Sequence, residues 1–180
     1  MLRNKFVAAT LAAGLIGATA LAPAAALAEP LSVGAKAPDF TLPSQENKPI
    51  SLHDYKGKWV VLYFYPKDQT KGCSLEAHNF QRDQDKYKAA NAVVLGVSLD
   101  TVESHAAWCT KDSFSFKMLA DPDHKVVDEY GVPMMGMGDM HYAKRETFLI
   151  SPQGKVVKFW EVSDIQNHSD AVLEAIKAGE

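Results

Sequence analysis

The chain has 180 residues, 47% of them apolar, with a formal net charge of −3 and two cysteines. That is enough chain for one domain with a substantial core. The mildly acidic balance argues against nucleic acid or an anionic membrane surface as partner.

Arg3 and Lys5 make a short basic start. An apolar, Ala-rich run follows to about Leu27 and ends Ala26-Leu27-Ala28 before Glu29-Pro30. This is the layout of a secretory signal peptide with a small-residue cleavage site. The run is long enough to span a bilayer as an uncleaved anchor, but its Ala and Gly content and cleavage pattern favour removal. The expectation is a signal peptide at 1–28, one domain at 29–180, and export to an oxidising compartment such as a bacterial periplasm.

Residues 29–57 are Pro-rich and irregular, with short extended pieces at 39–42 and 50–52. Residues 59–65, Trp-Val-Val-Leu-Tyr-Phe-Tyr, form a continuous run of the kind buried on both faces of a sheet. The spacing then predicts one helix over 73–90, with Cys73, Ala77, Phe80 and Tyr87 on its inner side. Residues 92–98 read as a second buried strand. A helix over about 101–111, capped by Asp100 or Ser98, places Val102, Ala106 and Cys109 on one face. A short extended piece at 117–119 precedes a helix opened by Asp121-Pro122-Asp123, with Gly131 past its end. Residues 146–150 and 155–160 read as a hairpin about Ser151-Pro152-Gln153-Gly154, and 169–178 as a last amphipathic helix. The order gives an α/β fold with a mixed central sheet flanked by helices, its parallel part built from β-α-β crossovers.

The chemistry concentrates at Pro66-Lys67-Asp68-Gln69-Thr70-Lys71-Gly72-Cys73, where a buried strand hands over to a helix. The thiolate is the nucleophilic form of cysteine. A helix N-terminus, with unpaired N–H groups and partial positive charge, favours it. The alternative for Cys73 and Cys109 is one structural disulfide, which a core of this size hardly needs.

With strand, loop and helix in place, the chain resembles a peroxiredoxin, most closely the bacterioferritin-comigratory or PrxQ group. The active-site pattern Pro-x-x-x-Thr-x-x-Cys is present as Pro66, Thr70 and Cys73. The arginine that the family places before a late strand matches Arg145, in Arg145-Glu146-Thr147-Phe148-Leu149-Ile150. Similar stretches lie at 37–43, 55–66 and 123–132, so the likeness runs from about Val33 to Ile176. It implies a thioredoxin-like fold with an N-terminal extension. It also implies a monomeric, thiol-dependent peroxidase that reduces hydrogen peroxide and organic hydroperoxides without metal, haem or flavin. Cys73 would be the peroxidatic sulfur, Arg145 a fixed cation beside it, Thr70 a hydroxyl able to touch both sulfur and peroxide, and Pro66 apolar cover. A thioredoxin-like or other dithiol protein would return the electrons.

The chain departs from the group in two places. His78 stands where many members carry a second cysteine five residues after the first, and Lys71 replaces a proline often found before Gly72. Some members place the resolving cysteine in the later helix, so Cys109 resembles a resolving residue that would form a Cys73–Cys109 disulfide. Its position beside Val102 and Ala106 suits a small core residue equally well. Disulfide formation needs Cα atoms within about 7 Å, so both helices are expected to loosen after oxidation. Glu76, one turn after Cys73, could orient Arg145 or simply serve as a helix-start acid. His78 reads as a solvated side chain. His105 and Cys109 have a metal-pair spacing but no second pair, which argues against zinc. The Met134–His141 stretch reads as a flexible loop of adaptable fillers, with Cu(I) binding through thioethers and imidazole as the alternative. Two rival functions remain: an exported thiol–disulfide oxidoreductase, disfavoured by the missing Cys-x-x-Cys, and a copper-binding module.

Overall fold

The computed structural model describes residues 30–137 and 140–179. The expected signal peptide lies outside them. No helix among the described residues is long and apolar enough to cross a membrane.

The centre is a five-stranded sheet built from β3 (Trp59–Phe64), β4 (Ala92–Ser98), β5 (Lys117–Ala120), β8 (Glu146–Ile150) and β9 (Val156–Glu161), in the order β5-β4-β3-β8-β9. β3, β4 and β5 run parallel, and β8 and β9 are antiparallel to their neighbours. Successive side chains of a strand point to opposite faces, and β3 divides its residues accordingly. Val61, Tyr63 and Tyr65 pack on one side, and Val60, Leu62 and Phe64 on the other. The first face is covered by α1 (Lys71–Arg82), α2 (Gln84–Ala89), α3 (Val102–Asp112) and α5 (His168–Ala178). The second carries α4 (Lys125–Glu129) and the N-terminal segment, including the small antiparallel pair β1 (Thr41–Pro43) and β2 (Pro49–Ser51). This is the expected thioredoxin-like α/β arrangement. Gly96 is required in β4 because it pairs with Tyr63, whose ring would lie 2.8 Å from an added Cβ.

Three local expectations change. The helix expected over 73–90 is two helices, α1 and α2, broken at Asp83 (φ −99°, ψ 10°). Asp83 is buried and drawn into tertiary pairing: Arg82 and Lys86 reach its carboxylate, and Ser169 Oγ of α5 donates to it at 2.9 Å. Burial alone would raise its pKa, yet these donors hold it well below the usual carboxylate range. The Met134–His141 stretch is strand wherever it is described, residues 138 and 139 lying outside the described residues. β6 (Met134–Met137) and β7 (Met140–Ala143) pair as a hairpin, with Met135 opposite Tyr142 and Gly136 opposite His141. Finally, α3 is capped by Thr101, whose hydroxyl accepts from the Ser104 N–H at 3.3 Å, and not by Asp100 or Ser98. Asp100 instead accepts from the Asp68 N–H at 2.9 Å and from Ser98 Oγ at 2.8 Å.

Candidate active site

Three elements of the first sheet face converge on Cys73. β3 ends at Phe64, Tyr65 and Pro66 begin the connecting loop, and α1 starts at Lys71, so Cys73 occupies its first turn. The N–H groups there have no intrahelical acceptor and present partial positive charge. Cys73 is buried, 1% exposed.

β8 delivers the cation. Arg145 immediately precedes this strand and is aligned with Thr147 and Leu149, which also face α1 and α5. Its Nη2 donates to Cys73 Sγ at 3.1 Å, and its Nη1 donates to Glu76 Oε2. Glu76 sits one turn beyond Cys73 and is likewise buried, so the guanidinium fork is clamped between carboxylate and sulfur. Burial works against the charge on Arg145, but the negative groups beside it raise its pKa overall. Burial pushes Glu76 up to about 7, against the pull of Arg145. Of the two readings of Glu76, the structure supports the one in which it orients Arg145. Gly72 lies directly against this arrangement: a Cβ there would reach Arg145 Nη2 and Ile165 Cδ1 at 3.4 Å, van der Waals contact.

The other expected residues are less engaged. Thr70 is the residue before α1, and its hydroxyl donates to the Lys67 carbonyl at 3.1 Å instead of reaching the sulfur. Pro66 is half-buried at the mouth of the loop. His78 faces the far end of α3, with Nε2 3.5 Å from Asp112 and its ring against Phe114. That contact adds a partner to a side chain expected to be only solvated.

Cys109 stands in the third turn of α3, in the same apolar cluster as Cys73, and both are free thiols. Burial pushes its thiol up to about 12, and the charge of Asp68 adds to this. That favours the neutral thiol over the thiolate at Cys109. His105, one turn earlier, is committed to Asp68, with Nδ1 2.8 Å from Oδ2. Among the described residues no group of three or more His, Cys, Asp or Glu side chains gathers to hold a metal. The sequence reading passed over Asp68. It also passed over Tyr63, whose buried hydroxyl has no hydrogen-bond partner among the described residues and is kept protonated by burial, with Glu76, Cys73 and Cys109 nearby. Neither has a local signal: a Tyr in a buried strand and an Asp in a loop are ordinary.

A cysteine in a helix's first turn with an arginine on its sulfur, carried by a thioredoxin-like sheet, defines a thiol-dependent enzyme site. Residues 33–159 match the AhpC/TSA family, and the chain belongs to it. Its relatives place it in the bacterioferritin-comigratory/PrxQ group of peroxiredoxins. It is 35% identical over 150 residues to Peroxiredoxin Bcp of Bacillus subtilis, covering 82% of this chain and 96% of that one. It is 36% identical over 151 residues to Peroxiredoxin Bcp of Escherichia coli K12, covering 82% and 97%. Among solved structures, Xanthomonas campestris peroxiredoxin Q superposes with a TM-score of 0.72 at 36% identity, covering 77% of this chain and 90% of that one. Peroxidoxin BcpB of Mycobacterium tuberculosis superposes at 0.77 with 30% identity, covering 82% and 97%. The protein is an oxidoreductase, a thiol-dependent peroxidase.

Proposed function

We propose that Cys73 is the peroxidatic nucleophile, that Cys109 resolves its sulfenic acid as an intramolecular disulfide, and that a thioredoxin-like dithiol protein restores both thiols. The Cys73 thiolate attacks one peroxide oxygen, and the O–O bond breaks. The departing oxygen is protonated to water or an alcohol, leaving Cys73 sulfenic acid. A thiolate attacking in line needs a cation at the sulfur and donors for the charge that develops on the leaving oxygen. Arg145 supplies the first, and the α1 N–H groups are placed for the second. Thr70 would have to swing its hydroxyl away from Lys67 to join them, and Pro66 would shield the sulfur from water.

The contact of Arg145 Nη2 with Cys73 Sγ, fixed from behind by Glu76, carries this reading. Two observations support the role of Cys109. It shares the cluster that holds Cys73. In Xanthomonas campestris peroxiredoxin Q, the two cysteines replaced by serine in solved structures are separated along the chain by the same interval as Cys73 and Cys109. A Xanthomonas campestris bacterioferritin comigratory protein, 34% identical with a TM-score of 0.73, has alkyl peroxide reduction activity. That supports organic hydroperoxides as substrates beside hydrogen peroxide. Because Cys109 is held protonated in the core, it becomes a nucleophile only when α3 opens to water, which makes resolution a gated step. The rest of the reading is a monomer, exported with cleavage after residue 28 and working as residues 29–180 in the periplasm.

Peptide mass spectrometry after one equivalent of peroxide tests it. The expected product is a Cys73–Cys109 disulfide. Over-oxidised Cys73 alone, or dimers linked between chains, would reject the resolving role.

A further inference from the structure

Segments that must part after oxidation need something to hold them together before it. Asp68 lies in the loop five residues ahead of Cys73, and its carboxylate is buried, a costly placement unless donors surround it. Tyr65, at the start of the loop, donates its hydroxyl to Oδ1 at 2.8 Å. The remaining donors stand on α3: Ser104 Oγ donates to Oδ2 at 2.7 Å, and His105 Nδ1 lies 2.8 Å from the same oxygen. A carboxylate only accepts, so Nδ1 carries a proton and donates to it. The ring's Nε2 is buried with no hydrogen-bond partner among the described residues. Tyr65 adds to the seam, with its hydroxyl 3.4 Å from His105 Nδ1 and its ring against His105 and Trp108, and at the exposed edge Lys111 Nζ donates to Gln69 Oε1 at 3.4 Å.

The two joined segments are the two that carry sulfur. Asp68 is in the loop that leads into α1 and Cys73, and His105 is one helical turn from Cys109. We propose that the Asp68 carboxylate, gripped by Ser104 and His105, is a latch between the nucleophile loop and α3, and that its release sets the rate at which oxidised Cys73 meets Cys109. The proposal rests on the disulfide reading above. In the step it controls, Cys109 gives up its proton and its sulfur bonds to that of Cys73. The S–O bond of the sulfenic acid breaks, and the departing hydroxide takes a proton to leave as water. Asp68 and His105 are positioning residues that act through the loop and helix they join.

Stopped-flow tryptophan fluorescence of the reduced protein mixed with hydrogen peroxide separates the steps. Trp108 lies on α3 and reports its movement. The first phase scales with peroxide concentration and follows sulfenic acid formation. The second is independent of it and follows disulfide formation. His105→Leu removes the donor and fills most of the space, whereas His105→Asn returns an amide N–H near the Nδ1 position. In both variants the first phase should stay within about twofold of wild type. The second should be about tenfold faster in His105→Leu, as for the loss of one charge-assisted hydrogen bond that opening must break, and should return toward wild type in His105→Asn. Val172→Ala on α5, which lowers overall stability away from the latch, should leave the second phase unchanged. If His105→Leu does not fold, Ser104→Ala, at the half-buried edge, should speed the second phase about threefold.

An unchanged second phase, in a protein whose wild type forms the Cys73–Cys109 disulfide, would overturn the latch alone. Equal acceleration in His105→Leu, His105→Asn and Val172→Ala would show general loosening and overturn it as well. Absence of that disulfide in the wild type would overturn the resolving role and the latch with it.

Discussion

Replacing Arg145 by Gln removes the guanidinium while keeping a neutral polar side chain. Two separate losses follow, and they respond differently to pH. The first is catalytic. Arg145 places one donor and a full positive charge 3.1 Å from the Cys73 sulfur, and losing one such preorganised group costs about 10²–10³ in rate, or roughly 3–4 kcal/mol of barrier. The second is structural. Glu76 stays buried without its partner, and breaking a buried pair from one side costs about 3–5 kcal/mol. That loss depends on Glu76 being charged. Burial already raises its folded pKa from 4.5 to about 7 with Arg145 present, and without the cation it rises further. A carboxyl whose folded pKa lies above its unfolded one penalises folding as pH rises through the folded value and adds no penalty below the unfolded one. The stability gap between wild type and Arg145→Gln should therefore be about 3 kcal/mol or more at pH 8.5 and close toward pH 4.5. Adding Glu76→Gln should restore most of the stability at pH 8.5 and none of the rate. Urea unfolding at several pH values and stopped-flow peroxide reduction measure the two losses. A double variant that regains wild-type rate, or an Arg145→Gln protein within tenfold of it, would refute the reasoning.

Two further buried groups give pH-dependent outcomes on stability. Glu146 in β8 has both carboxylate oxygens buried with no hydrogen-bond partner among the described residues; Lys144 Nζ pairs with it at 3.7 Å, yet burial outweighs that charge and pushes it up to about 7. Its folded pKa is raised, so the penalty appears as pH climbs above 4.5, and Glu146→Gln should stabilise the protein by about 2 kcal/mol at pH 8.5 and hardly at all at pH 4.5. His168 shows the opposite sign. Burial, and then the charge of Arg145, lower it to about 4, while Nε2 meets Thr147 Oγ1 at 2.8 Å. Its neutral form is favoured by folding, so stability should fall by about 2–3 kcal/mol as pH drops from 6.5 through 4, and His168→Gln should flatten that decline in urea titrations.

How far the sequence could be read depended on the range of the interactions involved. β3 and β4 were legible because a strand buried on both faces is apolar throughout, and Cys73 was legible because strand, loop and helix start lie within about fifteen residues of one another. Arg145 has no local mark. It meets Cys73 across the sheet from 72 positions away, and only the likeness to a family pointed to it. The break at Asp83 was hidden because Ser169, which helps draw the carboxylate out of the helical pattern, comes from α5. The Met134–His141 stretch looked like a loop because its glycines and methionines carry no strong strand preference, and the hairpin is fixed by cross-strand pairing instead. His105 was weighed as a metal ligand on its spacing to Cys109. Its actual partner, Asp68, is 37 residues away.

The central claim is that the Cys73 sulfur, held by Arg145, is the atom that breaks the peroxide bond. Stopped-flow consumption of one equivalent of hydrogen peroxide by the reduced protein tests it most directly, comparing wild type with Cys73→Ser and Cys109→Ser. Cys73→Ser should be folded and inert, while Cys109→Ser should react once at the wild-type rate and then stall with Cys73 as sulfenic acid. Undiminished peroxide consumption by Cys73→Ser would contradict the account.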